Sequence, residues 1–480
     1  MSKRSERLFE ALGGINERKI EQAALAVEKT ANRKRWGRRR WLGAVAAVLA
    51  AAIAVGAFLR PGGGLTAYAI AQAEYPKMAP YPGEGRGSAA YDAWWESVKA
   101  QRRDLGDTAS LQRFFARSAQ TFLTGERGEN RVYSPVNVYL ALSMLAYLTD
   151  GDSRGQILEA LGSDGMDELR KQASDVWNAS YRDDGMTVSI LASSLWLNQN
   201  ISFNQDTMDA LARDFYASSF AGAMGSEGFN KALQGWLNEQ TGGLLEEQAG
   251  NIELDSTIIL ALAATLYFKA PWAEEFSKDQ TAPQTFHTPA GDVETDFLHQ
   301  GRSGSYYWGD KFSAVGQHFA QGGAMWFLLP DEGVTPEELL AGGEGLDFLF
   351  TADKSQWERQ KFLLINKSIP KFDVSAQFEL EDGLKALGIT DVFDPVRADF
   401  TPMTTGMNGP ITLNQTSHAA RVVIDEEGCT AAAFTVLMDG GSAPPKEEVD
   451  FVLDRPFLFC VTGDSGLPLF VGVVNYPGGN

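Results

Sequence analysis

The clearest indication of the fold of this chain is the pattern of residues 131–162, RVYSPVNVYLALSMLAYLTDGDSRGQILEALG. It opens as a short strand, turns at Ser134 and Pro135, and continues as a helix of small and apolar residues. A helix that is apolar on every face has to be buried on most sides. The stretch therefore predicts a folded body with a helix at its centre.

The chain from Leu111 onward mixes helical and strand-like segments instead of alternating them strictly. That mixture predicts an α+β fold and argues against a doubly wound parallel sheet. Hydrophobic residues make up 44% of the 480 residues, with 28 Phe and 11 Trp. A chain with this much apolar material buries a sizeable core, so disorder throughout the chain is excluded.

The chain carries few of the residues that hold metals or disulfides. Two cysteines, Cys429 and Cys460, exclude a disulfide scaffold and a four-cysteine zinc site. The histidines lie far apart, with no H-x-H or H-x-x-x-H pair: His287, His299, His318 and His418. We therefore expect no metal and no cofactor.

The formal net charge of −20 is spread unevenly along the chain. Residues 1–60 hold 13 basic and 5 acidic residues, a net charge of +8, so the remaining 420 residues carry −28. A body that acidic repels the phosphates of nucleic acids, so we expect no nucleic-acid partner.

An apolar run, WLGAVAAVLAAAIAVGAFL at 41–59, contains nineteen residues without a charge. Nineteen apolar residues match the thickness of a bilayer core. The run follows RKRWGRRR at 33–40, and a basic flank stays on the cytoplasmic side. We therefore expect a cytosolic segment at 1–40, a transmembrane helix at 41–59, an extracytoplasmic linker at 60–106 and an extracytoplasmic domain at 107–480.

The alternative interpretation of the same run is a cleaved signal peptide, with Ala-Gln-Ala at 71–73 as the cleavage site. The basic segment before the run has about forty residues, and the run is longer than the usual 7–15 residues. These lengths favour a retained, single-pass anchor.

Several motifs occur in the order typical of serpins: the stretch 131–162, LQGWLNEQTGGLL (233–245), LYFKAPWAEEF (266–276), IPKFDVSAQFELEDGLKALGITDVFDPVRADFTPM (369–403), FVLDRPFLF (451–459) and PLFVGVVNYP (468–477). Over about 107–480 the chain resembles this family. The resemblance implies three β-sheets, eight or nine helices and an exposed reactive centre loop. With the apolar run, it implies a bacterial, membrane-anchored serine protease inhibitor.

The segment 426–445 resembles that reactive centre loop, and its first part resembles the hinge of inhibitory serpins: Glu426, Glu427, Gly428, Cys429, Thr430, Ala431, Ala432, Ala433, Phe434 and Thr435. Side chains alternate along a strand, so Cys429, Ala431, Ala433, Thr435 and Leu437 share one face. All five are uncharged, and each is small or apolar. That face fits the interior of a sheet without burying a charge.

The resemblance implies suicide inhibition by a protein that is not itself an enzyme. A target serine protease attacks the loop as a substrate and forms a covalent acyl-enzyme. The cleaved loop then inserts into the central sheet and carries the protease with it. We expect a monomer, with the target protease and the membrane at 41–59 as its partners.

Two alignments place the bond that the protease cuts, at Ser442–Ala443 or at Gly441–Ser442. These residues are small and uncharged, whereas trypsin-like proteases require Arg or Lys before the cut. Elastase-like and subtilisin-like proteases fit better. A papain-like cysteine protease remains an alternative target.

The resemblance also implies a region that controls opening of the central sheet, at Ser134, Trp272 and His418. Ala264 stands where the family typically has an Asn that binds the histidine matched by His418. The alternative function is therefore a non-inhibitory binding module with the same fold.

Overall fold

The computed structural model describes residues 65–83, 87–103, 105–125, 128–406, 410–429 and 445–478. The predicted cytosolic segment, the predicted transmembrane helix and most of the predicted reactive loop lie outside these residues. No helix within the described ranges has the length and apolar character needed to cross a membrane.

The described part of the chain contains eleven α-helices, whereas the sequence predicted eight or nine. They are α1 (Ala89–Gln101), α2 (Ala109–Leu123), α3 (Pro135–Leu148), α4 (Gly151–Leu161), α5 (Met166–Ser180), α6 (Gln205–Asp214), α7 (Glu227–Gln240), α8 (Glu246–Gly250), α9 (Pro336–Leu340), α10 (Glu344–Phe350) and α11 (Glu381–Ala386). The last four have only five to seven residues each. So short a helix shows no helical period in the sequence. The count of eight or nine was implied by the family resemblance and not by helical periods.

The strands are β1 (Ala69–Ala71), β2 (Arg131–Tyr133), β3 (Arg182–Asp183), β4 (Val188–Asn198), β5 (Ser202–Phe203), β6 (Ala217–Gly222), β7 (Leu260–Pro271), β8 (Ala282–Thr288), β9 (Gly291–Trp308), β10 (Phe312–His318), β11 (Ala324–Pro330), β12 (Gln360–Pro370), β13 (Phe372–Glu379), β14 (Thr404–Gly406), β15 (Ser417–Ile424), β16 (Gly428–Cys429), β17 (Glu448–Val452), β18 (Phe457–Thr462) and β19 (Pro468–Val474).

These strands form three sheets among the described residues. The central sheet has eight strands in the order β1-β6-β4-β7-β16-β15-β13, with β3 paired to β4. A nine-stranded sheet follows the order β17-β12-β9-β10-β11-β18-β19-β2, with β8 paired to β9. The third sheet is the two-stranded ribbon β14-β5.

The helix α3 packs against β7 of the central sheet and is buried over most of its length. The hydroxyl of Ser134 caps its first turn by accepting the N–H of Asn137 at 3.2 Å. Pro135 stands at the first helical position, where its missing N–H costs nothing. The apolar composition of α3 thus places it between the central sheet and its neighbouring helices.

The two faces of β7 contact different cores. Even-numbered residues, such as Leu262 and Leu266, join the large core on the α3 side of the sheet. Ala261 and Ala263 face a second core that contains Trp236 of α7. The central sheet is therefore covered on both faces at β7, which explains why this strand is almost continuously apolar.

Much of the segment predicted as a linker, 60–106, belongs to the folded body, which corrects that prediction. The strand β1 extends the central sheet by pairing with β6. The ring of Tyr75 lies 5.4 Å from that of Trp177. In α1 Trp94 is buried, whereas Trp95 is half-buried. The buried Tyr91, Trp94 and Val98 of α1 lie three and four residues apart, which is a helical period, whereas Tyr75 lies in a segment without such a period.

Candidate functional site

The strand β16 lies between β7 and β15 in the interior of the central sheet, beside the last residues of these two strands. Its Cys429 pairs with Ala270 on one side and with Ile424 on the other. The chain therefore leaves β15, reverses over three residues and begins a new strand in the middle of the sheet. Cys429 is 1% exposed, so the start of the predicted loop is already part of the core.

A tight turn at Asp425 makes this reversal. Its carboxylate accepts the N–H groups of Glu427 at 2.8 Å and of Gly428 at 3.0 Å. A side chain on Gly428 would place its Cβ 2.4 Å from the backbone oxygen of Ala270. Only glycine therefore lets the returning strand approach β7 this closely.

The carboxylate of Glu426 ties the turn to the body of the protein. It lies 3.1 Å from the Nζ of Lys371 and accepts the hydroxyl of Thr281 at 2.9 Å. Burial alone would raise the pKa of Glu426, but hydrogen bonds from its own backbone, Lys371 and Thr281 lower it below the ordinary value. Glu427 pairs with Lys278 at 2.6 Å near the surface.

Trp272 supports the same turn from the end of β7. Its Nε1 donates to the backbone oxygen of Asp425 at 2.9 Å, and its backbone N–H donates to that of Glu427 at 3.0 Å. The indole stacks on Phe319 with ring centroids 5.0 Å apart. Trp272 is 1% exposed, so the turn rests on a rigid aromatic support.

Beyond β16 the strands β7 and β15 pair directly with each other. Ala264 pairs with His418, and an isolated bridge joins Ala261 to Gln415. We call this direct contact the seam. A strand continuing from Cys429 towards the start of β7 has to pass through the seam, because these pairings join β7 to β15.

His418 connects the seam to α3. Its Nε2 accepts the backbone N–H of Ser134 at 3.1 Å, and the residue is 2% exposed. Burial lowers the pKa of His418 to about 4, so the ring is neutral at physiological pH. Of the three residues predicted to control sheet opening, Ser134 and His418 are in contact, while Trp272 lies at the turn.

A small cavity lies on each side of the seam, and each has a volume of about 20 Å³. The α3-side cavity is lined by residues that include Leu142, Leu262, Ala264 and His418. Asn137 also lines this cavity, and its side-chain amide has no hydrogen-bond partner among the described residues. The short side chain of Ala264 leaves part of this space unfilled.

The α7-side cavity has its own lining: Trp196, Leu233, Leu237, Ile252, Leu254, Ala261, Leu262, Ala263, Ala264, Thr265, Gln415, Ser417 and Ala419. The two cavities together leave the sheet loosely packed at the seam on both faces. Interiors are normally close-packed, so these two small cavities mark the seam as less tightly packed than the core around it.

The described hinge residues are Glu426, Glu427, Gly428 and Cys429. Thr430, Ala431, Ala432, Ala433, Phe434, Thr435, Gly441, Ser442 and Ala443 lie outside the described residues. Sequence reasoning missed the support that Lys371, Thr281 and Asp425 give to the turn. Lys371 is 55 positions from Glu426, and no short-range spacing reports such a contact.

Comparison with known proteins identifies the class to which this fold and site belong. The family model for serpins (serine protease inhibitors) matches residues 109–477, so the chain belongs to the serpin family. Members of this family are generally protease inhibitors and not enzymes, although some are non-inhibitory.

Individual relatives are similar over most of their length. Serpin-Z1C of Triticum aestivum is 29% identical over 389 residues, covering 77% of this chain and 96% of its own. The plasma serine protease inhibitor of Mus musculus is 27% identical over 392 residues, covering 79% and 93%. Arabidopsis AtSerpin1 in its native stressed conformation has a TM-score of 0.66 at 26% identity, covering 78% and 99%. The native state of the thermophilic serpin Tengpin has a TM-score of 0.70 at 22% identity, covering 78% and 96%.

Proposed function

We propose that this serpin inhibits serine proteases as a suicide substrate whose cleaved loop inserts through the seam. The observation that carries the proposal is the position of β16, which already pairs with both β7 and β15. Insertion then continues an existing strand in a register that is already set, and it separates β7 from β15 at the seam.

The existing register predicts where each loop residue would lie. Cys429 pairs with Ala270 and Ile424, so each further loop residue moves one position back along both strands. Continued in this way, Thr435 comes opposite Ala264 and also opposite His418. Ala264 and His418 are themselves paired, so counting along β7 and counting along β15 give the same register.

The alternation of side chains supports the same conclusion. Residues opposite each other share a face, and Cys429 lies in the α3-side core with Ala270 and Ile424. Thr435 and Leu437 would therefore point into the α3-side cavity, beside Ala264, His418 and Leu262.

Phe434 and Val436 would point the other way, into the α7-side cavity, which Thr265, Ala263 and Ala419 line. The bulky Phe434 departs from the usual hinge pattern of the family. The α7-side cavity, at about 20 Å³, is smaller than a phenyl ring, so insertion of Phe434 would have to widen it.

The uncharged loop segment 430–438 fits the length of β7. In the continued register the next residue, Asp439, which is charged, comes opposite Leu260, where β7 begins. Residues 430–439 would form new ladder hydrogen bonds worth roughly 0.5–1.5 kcal/mol each. A gain on the order of 10 kcal/mol is therefore available to drive insertion once the loop is cut.

The residues at the predicted cut, Gly441, Ser442 and Ala443, suit the shallow pockets of elastase-like and subtilisin-like proteases. We propose elastase-like and subtilisin-like serine proteases as the target class.

We also propose that residues 41–59 anchor the inhibitor in a cell membrane, with residues 1–40 in the cytoplasm and the serpin domain outside.

The test is to incubate the full-length protein with pancreatic elastase or subtilisin and to separate the products on a denaturing gel. Inhibition predicts a band at the summed mass of the two proteins and loss of protease activity. Loop cleavage with full protease activity remaining would contradict the proposal and indicate a non-inhibitory binding module.

A matched pair of variants tests insertion itself. Ala433→Glu places a charge opposite Leu266 and Ala420, both buried on the α3 side, and should convert the inhibitor into a substrate. Ala432→Glu places the same charge opposite half-buried Arg421 and should retain most of the inhibition. Equal inhibition by both variants would contradict the predicted register.

A further inference from the structure

Lys367 is a buried cation whose ammonium group makes no direct contact with a carboxylate among the described residues. It lies in β12 and is 9% exposed. Its Nζ donates to the backbone oxygen of Gly316 at 3.1 Å and to Oε1 of Gln317 at 2.7 Å. Lysine is almost never this buried without an opposite charge, because removing an ammonium group from water costs several kcal/mol.

The side chain of Lys367 lines a cavity of about 320 Å³ in the nine-stranded sheet. This β9–β10 cavity forms where two neighbouring strands separate. β9 pairs with β10 only from Trp308 to Tyr306, whereas it continues to pair with β12 as far as Phe297. Residues 303–305 and 316–318 line the gap that results.

The charges around the cavity leave a positive excess. Arg302 pairs with Glu274 at 2.8 Å, and both reach the solvent. His318 adds no charge at neutral pH, because burial and the nearby charge of Lys367 lower its pKa. Glu274 also stabilises the charged form of Lys367 from a distance, so the charged lining residues Arg302, Glu274 and Lys367 sum to one positive charge.

Amide groups and aromatic rings complete the lining. Gln300 and Gln317 lie beside Lys367, and both donate to the backbone oxygen of Glu274, at 3.4 and 3.3 Å. The rings of Tyr307 and Trp326 form a wall with centroids 5.8 Å apart. The cavity thus offers a polar wall and a flat aromatic wall, which would contact different parts of one ligand.

We propose that the β9–β10 cavity binds a small organic carboxylate with a flat apolar body. The carboxylate would pair with the ammonium group of Lys367, and the body would pack against Tyr307 and Trp326. This pairing would supply the charge partner that Lys367 lacks in the folded chain. A cavity of about 320 Å³ falls within the size range of small-molecule sites.

The test is isothermal titration calorimetry of the full-length, uncleaved protein with benzoate, and with benzamide as the neutral probe of the same shape. Benzoate should bind saturably, and benzamide at least tenfold more weakly. Lys367→Met should weaken benzoate binding at least tenfold. Lys361→Met, which removes an exposed lysine of the same strand, should leave it unchanged.

The pH dependence tests the same claim without a mutation, in case the Lys367→Met variant does not fold. Burial lowers the pKa of Lys367 to about 8. Benzoate binding should therefore weaken several-fold from pH 7 to pH 9.5 as Lys367 loses its proton. Over this range His318 stays neutral, because burial lowers its pKa, and Tyr307 keeps its proton, because burial raises its pKa.

No saturable benzoate binding at millimolar concentration would overturn the proposal, as would equal binding of benzamide or a flat pH profile. No protease enters this experiment, so its outcome is independent of the proposed inhibition.

Discussion

The backbone N–H of Ser134 donates to Nε2 of His418 at 3.1 Å, which joins the first turn of α3 to β15 at the seam. Because Nε2 accepts this hydrogen bond, the proton of the neutral ring lies on Nδ1. This hydrogen bond therefore requires a neutral imidazole. A second proton on the ring would remove the acceptor and leave a charge in the core.

Stability should fall as the pH is lowered, because of His418. Burial lowers the pKa of this residue to about 4 from the ordinary value of 6.5, so the unfolded chain takes up a proton that the folded chain does not. The contribution is complete above about pH 6.5 and is lost as the pH falls towards 4. It amounts to on the order of 3 kcal/mol. Urea unfolding between pH 7 and pH 4 measures it, and His418→Gln should flatten this part of the profile.

Removing the carboxylate of Glu426 should loosen the turn that starts β16. Glu426→Gln leaves Lys371 without its charge partner and should lower the free energy of unfolding by about 1–3 kcal/mol. Glu427→Gln removes the neighbouring exposed pair with Lys278 and should have a much smaller effect, since solvent screens it. Urea denaturation of both variants measures the difference, and equal losses would contradict the role assigned to Glu426.

A methyl group at Gly428 should displace β16 from the sheet. Gly428→Ala would place a carbon 2.4 Å from the backbone oxygen of Ala270, and overpacking of this kind costs about 1–3 kcal/mol. Gly155→Ala is the matched control, because no atom lies within 4 Å of the added carbon and the site is helical. Thermal melting should show a loss for the first variant and no loss for the second.

The sequence predicts those parts of the fold that composition alone determines. The burial of α3 follows from its apolar residues, whereas the two faces of the hinge stay a prediction beyond Cys429. The order of the motifs carried the serpin resemblance. The contact of Lys371 with Glu426 and the cavity beside Lys367 depend on strands distant in sequence, so no local pattern reveals them. The strand β1 was missed because three residues are too few to show a period.

The most direct test of the account is the melting temperature of the full-length protein before and after its loop is cut. If residues 430–439 insert between β7 and β15, the cut form gains ladder hydrogen bonds to both strands and should melt at least about 10 °C higher. A cut protein that melts at or below the temperature of the intact one would contradict insertion through the seam.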